Sequence, residues 1–346
     1  MAQRLDFSGA GFALIGAGRM GRRHIHAAAK LGLTLVGVVD HSQAALREVQ
    51  TEHRLADEVL FSDHAALFAA VVPECLIIST TADSHCALTC AAAKEGVKYI
   101  QVEKPMAVSL RECDLMLEAC SKYGAKMSIN HQMRFMEQYS KAKIKLDSDA
   151  YGGLKSMTVV AGNFGLAMNG SHYFEAFRYL TEEEPVEVSA WFSPGVVANP
   201  RGILFEDRAG SIRVVTASGK RLYLEIGADQ GHGVLVTYAG RNGLIMVNEL
   251  SGEMISTVRE PEYRALPTTR YGMPAESARE VIAAAEVIDS TAQVLRALLT
   301  DHNSVTGYHG RMAIEVLASA YVSAENGGQP IKLADSLDRS RIFPWA

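Results

Sequence analysis

Between residues 11 and 130, short apolar runs alternate with segments whose apolar positions recur at helical spacing. Phe12–Ile15, Leu33–Val39, Cys75–Thr80, Tyr99–Val102 and Lys126–Asn130 read as strands with few polar interruptions. A strand without polar alternation is buried on both faces, which suits a parallel sheet covered by helices. The helices are predicted at Arg19–Leu31, Ala44–His53, Ala65–Val71, Ser84–Glu95 and Leu110–Tyr123, the last three closed by Pro73, Gly96 and Gly124. Repeated strand–helix units of this kind predict an α/β fold with a doubly wound parallel sheet.

The pattern changes after about residue 150. Lys155–Ala161, Val186–Phe192, Ser211–Thr216, Arg221–Ile226, Val234–Tyr238 and Leu244–Asn248 read as strands. Ser218-Gly219 and Arg241-Asn242-Gly243 supply turns, so an antiparallel meander is expected. Helices are expected at Tyr173–Leu180 and, longer, near Ser277–Leu299 and Gly310–Glu325. The chain divides into residues 1–131, a nucleotide-type parallel domain, and residues 132–346, a second α/β domain with an open, mostly antiparallel sheet.

Composition narrows the functional classes. A chain of 346 residues with 48% apolar and 21% charged residues can bury a sizeable core, which excludes wholesale disorder. A net charge of −5 argues against a nucleic-acid partner, since phosphate binding calls for a basic surface. No apolar run reaches the ~18 residues of a membrane span, so a soluble cytoplasmic protein is expected. Cys75, Cys86, Cys90, Cys113 and Cys120 form an odd set without a C-x-x-C pair and read as core thiols. No metal site is expected. His24 and His26 are two apart on one helix and face different ways, and His302 and His309 lack a cysteine or carboxylate cluster.

Candidate chemistry begins at Gly16-Ala17-Gly18-Arg19-Met20-Gly21, a G-x-G-x-x-G between a predicted strand and helix. Gly16 permits a tight turn, Gly18 lets backbone approach a pyrophosphate, and Gly21 lets the helix pack closely on the strand. Asp40 ends the next strand, where a carboxylate accepts from a ribose diol and repels a 2′-phosphate. His41 and Ser42 follow without Arg or Lys, so NAD is expected over NADP. Glu103-Lys104-Pro105 follows the strand Tyr99–Val102, at the carboxyl edge where ligands bind in such sheets. Burial and positive neighbours would lower the Lys104 pKa and suit it to proton transfer, and Pro105 is a candidate cis peptide. The polar stretch Asn130–Phe135 contains Arg134, a substrate ligand or an interdomain tie. His172 opens the helix at Tyr173 as a proton shuttle, a hydroxyl partner or a structural residue.

With these motifs in order, followed by Gly170-Ser171-His172 and a late helix at Gly310-Arg311, the chain resembles the glucose–fructose oxidoreductase / inositol dehydrogenase / rhizopine catabolism (Gfo/Idh/MocA) family. The resemblance runs from about Gly11 to about Leu333. It implies an N-terminal Rossmann domain, a C-terminal domain whose sheet often forms an oligomer interface, and substrates among sugars, polyols and their derivatives. Lys104 and His172 are the implied catalytic pair. The expected cofactor contacts are Gly16, Ala17, Gly18, Arg19, Met20, Gly21, Asp40, Thr80, His85, Glu103 and Lys104. The expected substrate contacts are Lys104, Arg134, Asn163, Asn169 and His172, with Arg178, Arg270 and Tyr271 as further candidates.

Three positions depart from the family pattern. Met168 stands where an Asp is common, Thr81-Ala82 where Thr-Pro is, and Glu175 where Asp is. The leading expectation is an NAD-dependent oxidoreductase acting on a hydroxyl-bearing carbon. The alternatives are a glycoside-cleaving enzyme that uses NAD transiently and a non-catalytic binder of dinucleotide and sugar.

Overall fold

Six strands, β1 (Gly11–Ile15), β2 (Thr34–Val39), β3 (Leu60–Phe61), β4 (Cys75–Ile78), β5 (Tyr99–Val102) and β6 (Lys126–Ile129), form a parallel sheet. The computed structural model describes residues 7, 9–162, 164–199, 201–269, 271–283, 286–333 and 337–345. The strand order β3-β2-β1-β4-β5-β6 is that of a doubly wound Rossmann sheet, reversing direction beside β1 and β4. Every residue of β4 is buried, as its uninterrupted apolar sequence requires. Helices α1 (Arg19–Lys30), α2 (Gln43–His53), α3 (His64–Ala70), α4 (Ala82–Lys94) and α5 (Leu110–Tyr123) make the crossovers.

Helix α6 (Glu137–Leu146) leads into the second sheet. Its first strand is β7 (Leu154–Gly162), followed after α7 (Ser171–Thr181) by β8 (Pro185–Phe192), β9 (Gly210–Thr216) and β10 (Arg221–Gly227). Then come β11 (Leu235–Gly240), β12 (Gly243–Asn248), β13 (Glu253–Arg259) and β14 (Ala275–Val281). Helices α8 (Val287–Thr300) and α9 (Gly307–Glu325) and the short β15 (Ile331–Lys332) complete the order. The sheet runs β14-β13-β12-β11-β7-β10-β9-β8-β15. All its pairings are antiparallel except β7 with β10, because β7 inserts between the two halves of the expected meander.

One expected helix is corrected. Residues 277–299 are not one helix: Ala275–Val281 is an edge strand on β13, and α8 starts only at Val287. Ala-Glu-Ser-Ala-Arg-Glu-Val has helix-forming composition, but cross-strand partners override it. Arg279 Nε lies 3.1 Å from Glu253, and the Ser277 and Thr257 hydroxyls are 3.0 Å apart. Its charges also blunt an exposed edge.

The chain then returns to the first sheet. Ala292, Leu295 and Leu298 of α8 share one apolar cluster with Ile25, Ala28 and Leu31 around α1. Ile129 N donates to Val305 O at 2.9 Å, which ties the end of β6 to the start of α9. Farther on, Phe343 and Trp345 stack with centroids 4.4 Å apart, and the Trp345 indole donates to Ala107 O at 2.9 Å. Residues from both halves of the chain therefore converge on the carboxyl edge of the parallel sheet.

Candidate active site

The first turn sets the floor of a cleft of about 1040 Å³ at that edge. Gly16 has φ +97°, and a Cβ there would stand 2.6 Å from Ser79 O. A Cβ on Gly21 would meet Gly16 O at 1.9 Å, so only glycine allows α1 to sit this close. A Cβ on Gly18 meets nothing within 4 Å, and Gly18 lines the cleft. Helix α1 has neither a side-chain N-cap nor an acidic residue in its first turn. Its leading amides therefore face the cleft as an anion site. These features fit a dinucleotide pyrophosphate.

Asp40 lies at the end of β2 and lines the same cleft. Its Oδ2 accepts from Ala17 N and its Oδ1 from Ser42 N, both at 2.8 Å. That orients the carboxylate and leaves each oxygen a further lone pair. Arg19, Met20 and Thr80 also line the cleft, and the Thr80 and Ser84 hydroxyls are 2.6 Å apart. His85 is placed differently. It is buried, donates from Nδ1 to Pro105 O at 3.0 Å, and joins two loops from beneath. Burial lowers its pKa, which keeps the ring neutral. The Lys104–Pro105 peptide is cis.

Glu103 is buried at the end of β5. Burial pushes its carboxyl up, but the hydrogen bond and charge of His24, then Lys104 and Asn130, outweigh that and hold it well below the usual carboxylate range. His24 Nε2 and Asn130 Nδ2 both reach Glu103 Oε1 at 2.7 Å. Next to it Lys104 aims its Nζ at the backbone oxygen of Met168, to which it donates. Burial lowers the Lys104 pKa to about 8, Glu103 and Asp207 opposing the shift and Arg201 adding to it. A surface lysine is fully charged at neutral pH, whereas this amine has an appreciable neutral fraction.

His172 is brought to the same cleft by the first turn of α7. Burial and then the Lys104 charge push its pKa well below the usual value, so it is neutral. Its ring stands edge-on to His131, centroids 5.4 Å apart, and His131 is pushed down to about 3 by the same burial and charge. Met168 and Asn169 face the cleft from a short π-helical turn, Leu166–Gly170. Lys104, His172, Asn169 and the glycine turn thus share one cavity.

Other expected contacts lie elsewhere. Arg134 is buried in an ion pair with Glu175, and its other nitrogen donates to Asn303 Oδ1 at 3.3 Å, so its partners lie within residues 132–346 and it ties elements of the second half of the chain to one another. Arg178 lies 3.8 Å from Glu175 and 3.6 Å from Glu184, and Tyr271 is exposed. Asn163 and Arg270 lie outside the described residues. Sequence reasoning missed two groups, Arg201 in the cleft wall and Asp207 behind the π-turn, which come from a stretch without periodicity or motif. Away from the cleft, His26, Glu52 and His53 bring ligand-type atoms within 4.8 Å of one another, a convergence across two helices that spacing within one does not reveal.

Residues 10–131 match the model of the oxidoreductase family with NAD-binding Rossmann fold. An inositol 2-dehydrogenase/D-chiro-inositol 3-dehydrogenase of Halalkalibacterium halodurans is 32% identical over 137 residues, 39% of this chain and 38% of that protein. A D-apiose dehydrogenase of Paraburkholderia graminis is 33% identical over 124 residues, 36% of this chain and 32% of that one. The aligned part thus spans less than two fifths of either relative. In fold, the chain is similar to an oxidoreductase from Agrobacterium radiobacter in complex with NAD+, L-tartaric acid and magnesium. That likeness has a TM-score of 0.75 and 19% identity, and covers 94% of this chain and 98% of that one.

Proposed function

We propose that the chain, whose residues 10–131 match the oxidoreductase-family model with an NAD-binding Rossmann fold, is a Gfo/Idh/MocA-type, NAD-dependent oxidoreductase acting on a hydroxyl-bearing carbon of a sugar, polyol or sugar derivative. The observation that carries this reading is Lys104, a half-buried lysine with its pKa lowered to about 8, set in one cleft with the glycine turn and a neutral His172.

The turn at Gly16–Gly21 and the leading amides of α1 would hold the pyrophosphate, and Asp40 the adenosine ribose. When bound, the nicotinamide supplies a hydride acceptor or donor. In oxidation, neutral Lys104 takes the hydroxyl proton while the carbon becomes a carbonyl; in reduction, charged Lys104 returns it. His172, held neutral, orients the hydroxyl through the nitrogen that faces the cleft. Glu103, tied to His24 and Asn130, fixes the backbone from which Lys104 projects.

NAD is preferred over NADP in this reading, because Asp40 stands at the ribose end with His41 and Ser42 after it and no cation at either position. Homo-oligomerisation is part of the reading too. The outer face of the second sheet exposes Trp191, Tyr223, Leu235 and Met246, more apolar surface than a solvated sheet face needs. Five free cysteines, three of them buried, support a reducing compartment, the cytoplasm.

The test is nicotinamide absorbance on mixing the protein with NAD or NADP and a panel of polyols, aldoses, sugar acids and sugar nucleotides. NADH formation with NAD, and weaker signal and binding with NADP, are expected. Glycoside cleavage without net NADH would put the transient-redox reaction in its place, and binding without either product would leave a non-catalytic binder.

A further inference from the structure

Asp207 lies between β8 and β9, far in sequence from the motifs of the cleft, and is 1% exposed. Its Oδ1 accepts from Ala167 N at 2.8 Å and its Oδ2 from Met168 N at 2.9 Å. Both amides belong to the π-turn that precedes α7. The carbonyl of the same Met168 accepts the hydrogen bond of Lys104 Nζ. One residue of backbone therefore separates a buried carboxylate from the amine.

The surroundings are built to hold the acid there. A Cβ on Gly165 would fall 2.2 Å from Asp207 Cγ, so the glycine makes room for the carboxylate. Leu166 N donates to Arg208 O at 2.8 Å, and Val197 N to Asp207 O at 2.8 Å. Glu206 N donates to Pro344 O at 2.8 Å, while Phe343 N donates to Val108 O at 2.9 Å and Trp345 Nε1 to Ala107 O at 2.9 Å. One segment, Phe343–Trp345, thus grips both the loop that carries Lys104 and the stretch that carries Asp207.

Resting on the reading of Lys104 as the proton-transferring group, we propose that Asp207 is the positioning residue of this site. It clamps the π-turn so that the Met168 carbonyl orients the Lys104 amine, and it places a buried negative charge beside that amine. The charged and titratable groups that face Lys104 are Glu103 from β5, His131 after β6, His172 from α7, and Arg201 and Asp207 from the stretch before β9. Asp207 and Glu103 favour its protonated form, and Arg201 opposes it. Burial pushes the Asp207 carboxyl up, and the Ala167 and Met168 amides and Lys104 act against that.

The experiment titrates Lys104 itself by NMR of protein labelled at the lysine ε-carbons, with the signal assigned from its loss in Lys104→Arg. In the wild type the midpoint is expected near 8. Asp207→Asn keeps the shape and removes the charge, and is expected to lower the amine's proton affinity about tenfold. The alkaline rise in kcat/KM for oxidation should move to lower pH by the same factor, with the Kd for NAD unchanged. Asp207→Glu, which restores a charge, should bring the titration back towards the wild type. Where the Asn variant does not fold, Asp207→Ser, which keeps an acceptor, is expected to show the same lowering. An unchanged Lys104 midpoint in a folded, uncharged variant overturns the proposal, even if activity falls. A shifted midpoint in a protein that oxidises no alcohol sustains the Asp207–Lys104 coupling and removes the oxidoreductase reading instead.

Discussion

At Lys104 burial lowers proton affinity while Glu103 and Asp207 raise it, and burial prevails. The pH dependence of the reaction follows in sign. Oxidation needs the neutral amine, so its kcat/KM should climb as pH rises through about 8; reduction needs the charged amine and should decline over the same interval. His172 and His131 are already neutral there, both driven down by burial, so neither adds a limb around the ordinary histidine value. A pH–rate series in both directions checks this, and an oxidation rate that falls above neutrality would contradict it. The strand–helix pattern places Lys104 at the carboxyl end of a strand and His172 in the first turn of a helix, but only the family resemblance singles the two out as a pair, because a lone Lys or His at such a point is as readily structural. Asp207 was not legible, because it acts on two backbone amides 39 and 40 residues away, and such a contact leaves no local spacing. Met168 misleads at the sequence level for a related reason, since its backbone oxygen, which every residue type carries, is what meets Lys104.

Among the elements, the turn after β6 and helix α7 share a buried ion pair. Arg134, in the turn after β6, and Glu175, on α7, are both buried and paired, with Arg134 stacked over Tyr179 at 5.3 Å. Removing one partner leaves the other charge buried, a loss of about 3–5 kcal/mol. Arg134→Met should lower the unfolding free energy by that amount in a denaturant titration while leaving the Kd for NAD near the wild-type value; a change in NAD affinity with intact stability would return Arg134 to the ligand-binding surface. Five of the six strands of the first sheet were readable because two-sided burial imposes continuous apolar runs; β3, two residues long, is too short to leave such a run. The second sheet was readable only where alternation was clear. β14 is exposed along nearly its whole length, so no burial pattern marks it, and its Ala and Glu content favours a helix until β13 supplies partners.

In the whole molecule the parallel domain holds the turn, Asp40 and Lys104, while His172, Met168 and Asp207 arrive from the second half of the chain. Helix α8 packs back on α1, and the segment 343–345 reaches the Lys104 loop, so the two halves close on the cleft from several directions. The long-range return was not legible, because an amphipathic helix shows that one face is covered and not what covers it. In the proposed reaction this arrangement would separate binding from chemistry, with the dinucleotide held by one half and the proton handled where both meet. The most direct measurement is therefore NAD affinity and nicotinamide reduction, in the same samples, for wild type and Lys104→Met with the best substrate of the panel. The expected result is an unchanged Kd with turnover lower by ~10²–10⁴-fold. Equal turnover in the two proteins, or turnover lost only in step with NAD binding, would contradict the assignment of Lys104 as the proton-transferring group.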